Sequence, residues 1–144
     1  MAQLTGLRSV KLPVTDLGRS LEWYQKVFGV EPFLEFPDEE GVVQGVATHL
    51  PGEQSGISLR HNPEGHGMEG LEVMLGVRDH AALEQWCAHL DGLGVGHSPI
   101  IDATVGWLLV LHDPDGHELH LYTDARHGLD QGGRKGYGRP VAAG

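Results

Sequence analysis

One pattern occurs twice in this chain, and few folds accommodate that. An alternating stretch at residues 7–14 runs into Asp16; another at 71–77 runs into Asp79, 63 positions later. Leu12-Pro13-Val14-Thr15-Asp16-Leu17 lies over Leu75-Gly76-Val77-Arg78-Asp79-His80, and Leu59 lies over Leu121 at an offset of 62. In the first copy Val10, Leu12 and Val14 face one way and Ser9, Lys11 and Pro13 the other, as a strand with one covered face requires. In the second, Val73, Leu75 and Val77 oppose Glu72, Met74 and Gly76. Asp16 and Asp79 are predicted helix N-caps. Leu17, Leu21, Tyr24, Val27 and Phe28 form one apolar stripe, stopped by Gly29; Leu83, Trp86, Cys87 and Leu90 form the other, ended by Gly92 and Gly94.

Three short strands follow each helix: 32–36, 42–50 and 57–60, then 97–101, 107–111 and the strand after Asp113-Pro114-Asp115-Gly116. Pro114 and Gly116 make that tetrapeptide a turn. Beyond it Leu119 and Leu121 point one way, and Glu118, His120 and Tyr122 the other, a face too polar for an ordinary core. The expected fold is therefore α+β: two tandem βαβββ modules forming a curved mixed sheet with a central cleft. Residues 1–124 read as one domain, with module one at 5–62, a Gly- and Pro-bearing linker at 63–70 and module two at 71–124. The glycine-rich tail, 125–144, is expected to be poorly ordered or draped over the surface.

The formal net charge of -10 speaks against nucleic acid or an anionic membrane surface as partner. A single cysteine allows no intramolecular disulfide, and its place on a helical stripe makes Cys87 an inert core residue. No signal segment and no membrane-length apolar run is evident, so a cytoplasmic protein is expected. The ten histidines are scattered and most are expected to face solvent. There is no P-loop, dinucleotide fingerprint or Ser-His-Asp order.

Val14-Thr15-Asp16-Leu17-Gly18-Arg19-Ser20-Leu21-Glu22-Trp23-Tyr24, Phe28-Gly29, and Asp113-Pro114-Asp115-Gly116 with Glu118-Leu119-His120-Leu121 resemble the vicinal oxygen chelate superfamily. This is the glyoxalase, bleomycin-resistance and extradiol-dioxygenase superfamily, and the likeness spans roughly residues 5–124. The resemblance implies four positions around a divalent cation, two on each module's outer strands. Here they hold Ser9 and Ser58 in module one, Glu72 and His120 in module two. Two competent ligands remain and two are lacking, since a serine hydroxyl is a poor ligand for a borderline metal. A third ligand is sought at His49, His61 or His112. No cofactor is expected, with a divalent metal at Glu72 and His120 as the alternative. Trp23 and Tyr24 fall at a position that packs beneath the sheet.

Without a metal, Glu72 and His120 read either as an ion pair on the cleft floor or as a catalytic acid/base pair. Lys11 and Arg60 either snorkel to solvent or recognise an anionic or carbonyl-rich ligand, with Glu118 as internal counter-charge. Tyr122, Trp107 and Met74 are candidate cleft walls, although plain packing is the simpler account of Trp107 and Met74. Ser9, Lys11, Ser58, Arg60, Met74, Trp107, Glu118 and Tyr122 thus form the expected ligand-binding set. The expected function is a small-molecule-binding protein of the bleomycin-resistance kind, without a complete metal site, taking a polar or anionic ligand. The alternative is a glyoxalase-like lyase, isomerase or dioxygenase using Glu72 and His120. A homodimer is expected because such sheets leave edges and an apolar flank.

Overall fold

A computed structural model describes residues 2–65 and 69–142. The element order is β1 (Ser9–Val14), α1 (Leu17–Phe28), β2 (Glu31–Pro37), β3 (Val43–His49), β4 (Gly56–His61), β5 (Glu72–Val77), α2 (His80–Leu93), β6 (Ile101–Asp102), β7 (Trp107–His112) and β8 (Glu118–Thr123). The strands form two four-stranded sheets, ordered β1-β4-β3-β2 and β5-β8-β7-β6. In each, the first and last strands of a module pair in parallel and the rest pair antiparallel. These are the two tandem βαβββ modules, and both sheets are mixed. No helix among the described residues is long and apolar enough to cross a membrane.

Both helices start and stop where residue chemistry dictates. Asp16 accepts the Arg19 amide at 3.0 Å, and Asp79 accepts the Ala82 amide at 2.9 Å. Gly29 and Gly94 close the helices at φ 68° and 70°, where a side chain would strain the backbone. Gly92, read as part of the second stop, lies inside α2 instead; a glycine within the last turn weakens a helix without ending it. The expected strand at 97–101 shrinks to Ile101–Asp102, with only an isolated bridge from His97 to Leu111. Cys87 is half-buried, not core; burial pushes its thiol up, and the Asp91 and Glu84 carboxylates add to this.

The described residues divide into two compact units, Met1–Leu71 with Asp113–His117, and Glu72–His112 with Glu118–Gly144. The buried apolar residues of the first include Leu12, Val14, Tyr24, Val27, Val46, Ile57 and Leu59. Those of the second include Val73, Leu83, Leu90, Leu109, Leu111, Leu119 and Leu121. Residues 66–68 of the expected linker lie outside the described residues, as does the end of the tail. The rest of the tail lies along unit two: His127 Nε2 meets the Ala103 carbonyl at 2.8 Å, and the Gly138 amide donates to Thr104 Oγ1 at 2.9 Å.

The turn Asp113–His117 packs with unit one, although its flanking strands belong to unit two. Its two carboxylates meet the start of α1. Asp115 accepts from the Thr15 amide at 3.1 Å, the Thr15 hydroxyl at 2.5 Å, and Ser20 Oγ and Arg19 Nη2 at 3.4 Å each. Asp113 accepts from the Tyr24 hydroxyl at 2.8 Å and from the Asp115 and His117 amides at 2.9 and 2.8 Å. His117, expected with the other histidines at the surface, is 2% exposed, and its Nε2–H donates to the Pro13 carbonyl at 2.6 Å. Burial, then the Asp113 carboxylate, pushes the Tyr24 phenol up, so it stays a donor.

Tyr24→Phe removes one donor from a buried carboxylate and adds no volume. It should lower stability by about 2 kcal/mol, read from the urea midpoint at constant m-value. An unchanged midpoint would mean that the turn's own amides satisfy Asp113.

Candidate functional site

In unit two the parallel pairing of β5 and β8 sets Glu72 opposite Glu118 and Met74 opposite His120. The antiparallel pairing of β7 sets His112 opposite Glu118 and Val110 opposite His120. One donor atom each from Glu72, Glu118 and His120 lies within 4.8 Å of the others. His120 Nε2 meets Glu118 Oε2 at 3.0 Å, and His112 Nε2 lies 3.7 Å from Glu118 Oε1. The His120 hydrogen bond, then one with the Glu72 carboxyl, holds Glu118 below the usual carboxylate range against partial desolvation.

Glu118 thus finds its partners, His120 and His112, on its own sheet. The expected Glu72–His120 pair is a trio with Glu118 bonded to the imidazole. The same alternation that placed His120 also places Glu118, two residues earlier on that face. Met74 is 62% exposed beside His120. The Tyr122 hydroxyl accepts the Val105 and Gly106 amides at 3.0 and 3.3 Å, which orients its ring and pins the 105–106 backbone. Trp107 shares the strand parity of buried Leu109 and Leu111, away from His120, and its ring meets His80 and His127 edge-on at 5.0 and 5.6 Å. It packs against the α2 start and the tail and is no wall of the polar face.

In unit one the parallel pairing of β1 and β4 carries Ser9 and Ser58. Their hydroxyl oxygens are 2.7 Å apart, hydrogen-bonded to each other. Both line a cavity of about 690 Å³, together with Lys11, Arg8, Phe33, Leu34, Phe36 and His49. Arg60 is exposed and is not among the lining residues. Of the three histidines weighed as a third ligand, His49 stacks on Phe33 at 3.8 Å, His61 Nδ1 meets Gln44 Oε1 at 3.1 Å, and only His112 approaches Glu118. Arg8, Phe33, Leu34 and Phe36 escaped the sequence reading, and His49 was considered there only as a metal ligand. The available signal was Glu31–Pro37, a strand with three large apolar residues and no inward-facing period.

Two carboxylates and an imidazole suit a divalent cation, so this unit-two group fits a metal. The Ser9–Ser58 pair of unit one does not: it offers neutral hydroxyls already bonded to each other. Glu72, Glu118 and His120 would hold the ion, which would supply Lewis-acid polarisation of a ligand oxygen.

Because Glu118 has a lowered pKa in the fold, its contribution is present above the unfolded carboxylate pKa, about 4.3, and is lost as pH falls through the lower folded value. Glu118→Gln should therefore lower the melting temperature at pH 6–7, and the gap to wild type should close by about pH 3. A gap that persists at that acidity would show that packing, not charge, makes the difference.

The chain matches the Glyoxalase/Bleomycin resistance protein/Dioxygenase superfamily over residues 6–121. No curated protein matches it significantly. Among solved structures, it is similar to lactoylglutathione lyase from Agrobacterium tumefaciens at 19% identity and TM-score 0.71, covering 89% of this chain and 100% of that one. It is similar to TnmS3, an antibiotic binding protein from Streptomyces sp. CB03234, at 20% identity and TM-score 0.68, covering 85% and 98%. It is also similar to a mutant of the fosfomycin resistance protein FosX from Listeria monocytogenes, complexed with Mn(II) and a dihydroxypropylphosphonic acid. There the identity is 16% and the TM-score 0.65, covering 84% and 93%. At such identities these likenesses concern the fold. The repeat, the two mixed sheets and a match over most of the chain place this protein in the glyoxalase/bleomycin-resistance/dioxygenase superfamily, the vicinal oxygen chelate proteins.

Proposed function

We propose that this chain is a small-molecule-binding member of the superfamily, taking a polar or anionic ligand and lacking the complete four-residue metal ring. The observation that carries this reading is the Ser9–Ser58 hydrogen bond in the wall of the unit-one cavity. Where a metal-using relative would need ligands, this chain has two hydroxyls facing an open space large enough for a drug-sized molecule. The antibiotic binding protein among the similar structures supports the same reading. A homodimer belongs to the proposal, since β2 forms an edge of its sheet and leaves one side of its backbone unpaired.

One observation favours a second reading, an enzyme of the lyase, isomerase or dioxygenase kind. Glu72, Glu118 and His120 converge within 4.8 Å, which serves either a metal or proton transfer by the Glu118–His120 pair.

Elemental analysis after reconstitution with Ni²⁺, Zn²⁺, Fe²⁺ and Mn²⁺ separates the two. The binding reading expects well under one metal per chain after dialysis, unchanged in Glu72→Ala and His120→Ala. Stoichiometric metal lost in either variant would overturn it. So would a ligand that is recovered chemically altered after long incubation with wild type but intact with His120→Ala.

A further inference from the structure

The unit-one cavity also constrains the chemistry of its occupant, an inference that rests on the binding reading above. The chain carries 20 acidic residues against 10 Lys and Arg, yet the cavity lining contains Arg8 and Lys11 and neither Asp nor Glu. Neither cation has a hydrogen-bond or ion-pair partner among the described residues. Two unpaired cations give this acid-free lining a positive formal charge on a protein of net charge -10.

The rest of the lining is mixed: Thr5, Thr48, His49, Gln54 and Ser55 are polar, and three large residues of β2 are apolar. Phe33, Leu34 and Phe36 are 46%, 48% and 51% exposed, although aromatic and aliphatic side chains of this size normally bury far more. Phe33 and His49 stack with ring planes 13° apart, giving a rigid planar wall. β2, which carries these residues, has no buried position, so packing within the fold does not account for its three large apolar residues. The Ser9 and Ser58 hydroxyls add neutral hydrogen-bonding capacity and no charge.

We infer that the ligand is an amphipathic organic anion: a carboxylate, sulfonate or phosphonate head group held by Arg8 and Lys11, and a flat apolar body lying on Phe33, Leu34 and Phe36. Arg8 contributes planar, bidentate donors and Lys11 a point charge, a combination that accepts any of these head groups. The cavity, about 690 Å³, holds two or three fused rings.

Two commercial fluorophores share one body and differ in charge: anilinonaphthalene sulfonate is an anion, and N-phenylnaphthylamine is neutral. Both are titrated into the full chain by fluorescence, at low salt and at about 0.5 M sodium chloride, where exposed charges are screened. The anion should bind at one per chain, at least about tenfold tighter than the neutral analogue at low salt, with the gap narrowing at high salt. Arg8→Gln with Lys11→Gln should close the gap and leave neutral binding unchanged; both side chains are exposed, so the fold is not at stake. Phe36→Ala should weaken both fluorophores. Equal affinities, or a gap that survives the double substitution, would overturn the anionic assignment while leaving the cavity a binding site. If neither fluorophore responds to Phe36→Ala, the binding reading falls with it.

Discussion

Two carboxylates on one turn tie that turn to the first helix of unit one. Asp113 and Asp115 are held in unit one by donors from the β1–α1 junction and from α1: Thr15, Arg19, Ser20 and Tyr24. A buried carboxylate is costly unless its lone pairs are filled. Asp113 has three donors and Asp115 has four, two of them at long range. The stretches that made the family recognisable, Thr15 to Tyr24 and Asp113 to Gly116, touch each other. Their residue types are donor and acceptor halves of one hydrogen-bonded cluster, which is a physical reason for finding both in one chain.

What the sequence made legible was whatever depends on local period and local chemistry. The caps at Asp16 and Asp79, the left-handed stops at Gly29 and Gly94, and the alternation of β1, β5 and β8 are properties of a few neighbouring residues. The repeat supplied the topology, because two copies of strand–helix–three strands admit few arrangements. Partner choice was not legible. Glu118 was placed on a strand face without its His120 and His112 partners, because alternation fixes a direction and not which charge lies at the end of it. Trp107 was offered as a cleft wall with plain packing as the simpler account. Its parity with Leu109 and Leu111 and its contacts with His80 and His127 favour packing. β2 was hardest: with no buried residue it has no period, and its three apolar residues gain meaning only from the cavity they line.

The two copies have diverged in charge as well as in residue identity. In unit two, outer-strand positions carry Glu72 and His120, and Glu118 joins them as a third ionisable group. Such groups favour one another and water. Met74, on the same face, is accordingly left open to solvent. In unit one the corresponding positions carry serines, and a hydroxyl pair bonded to itself has little need of water. The Ser9 and Ser58 hydroxyls, already bonded to each other, present no ionisable group to the cavity that Phe33, Leu34 and Phe36 line. The charged and ionisable groups of that lining, Arg8, Lys11 and His49, come from other positions. Outer-strand positions of the two modules thus carry opposite chemistry: neutral hydroxyls that satisfy each other in unit one, and ionisable groups that can hold a proton or a cation in unit two.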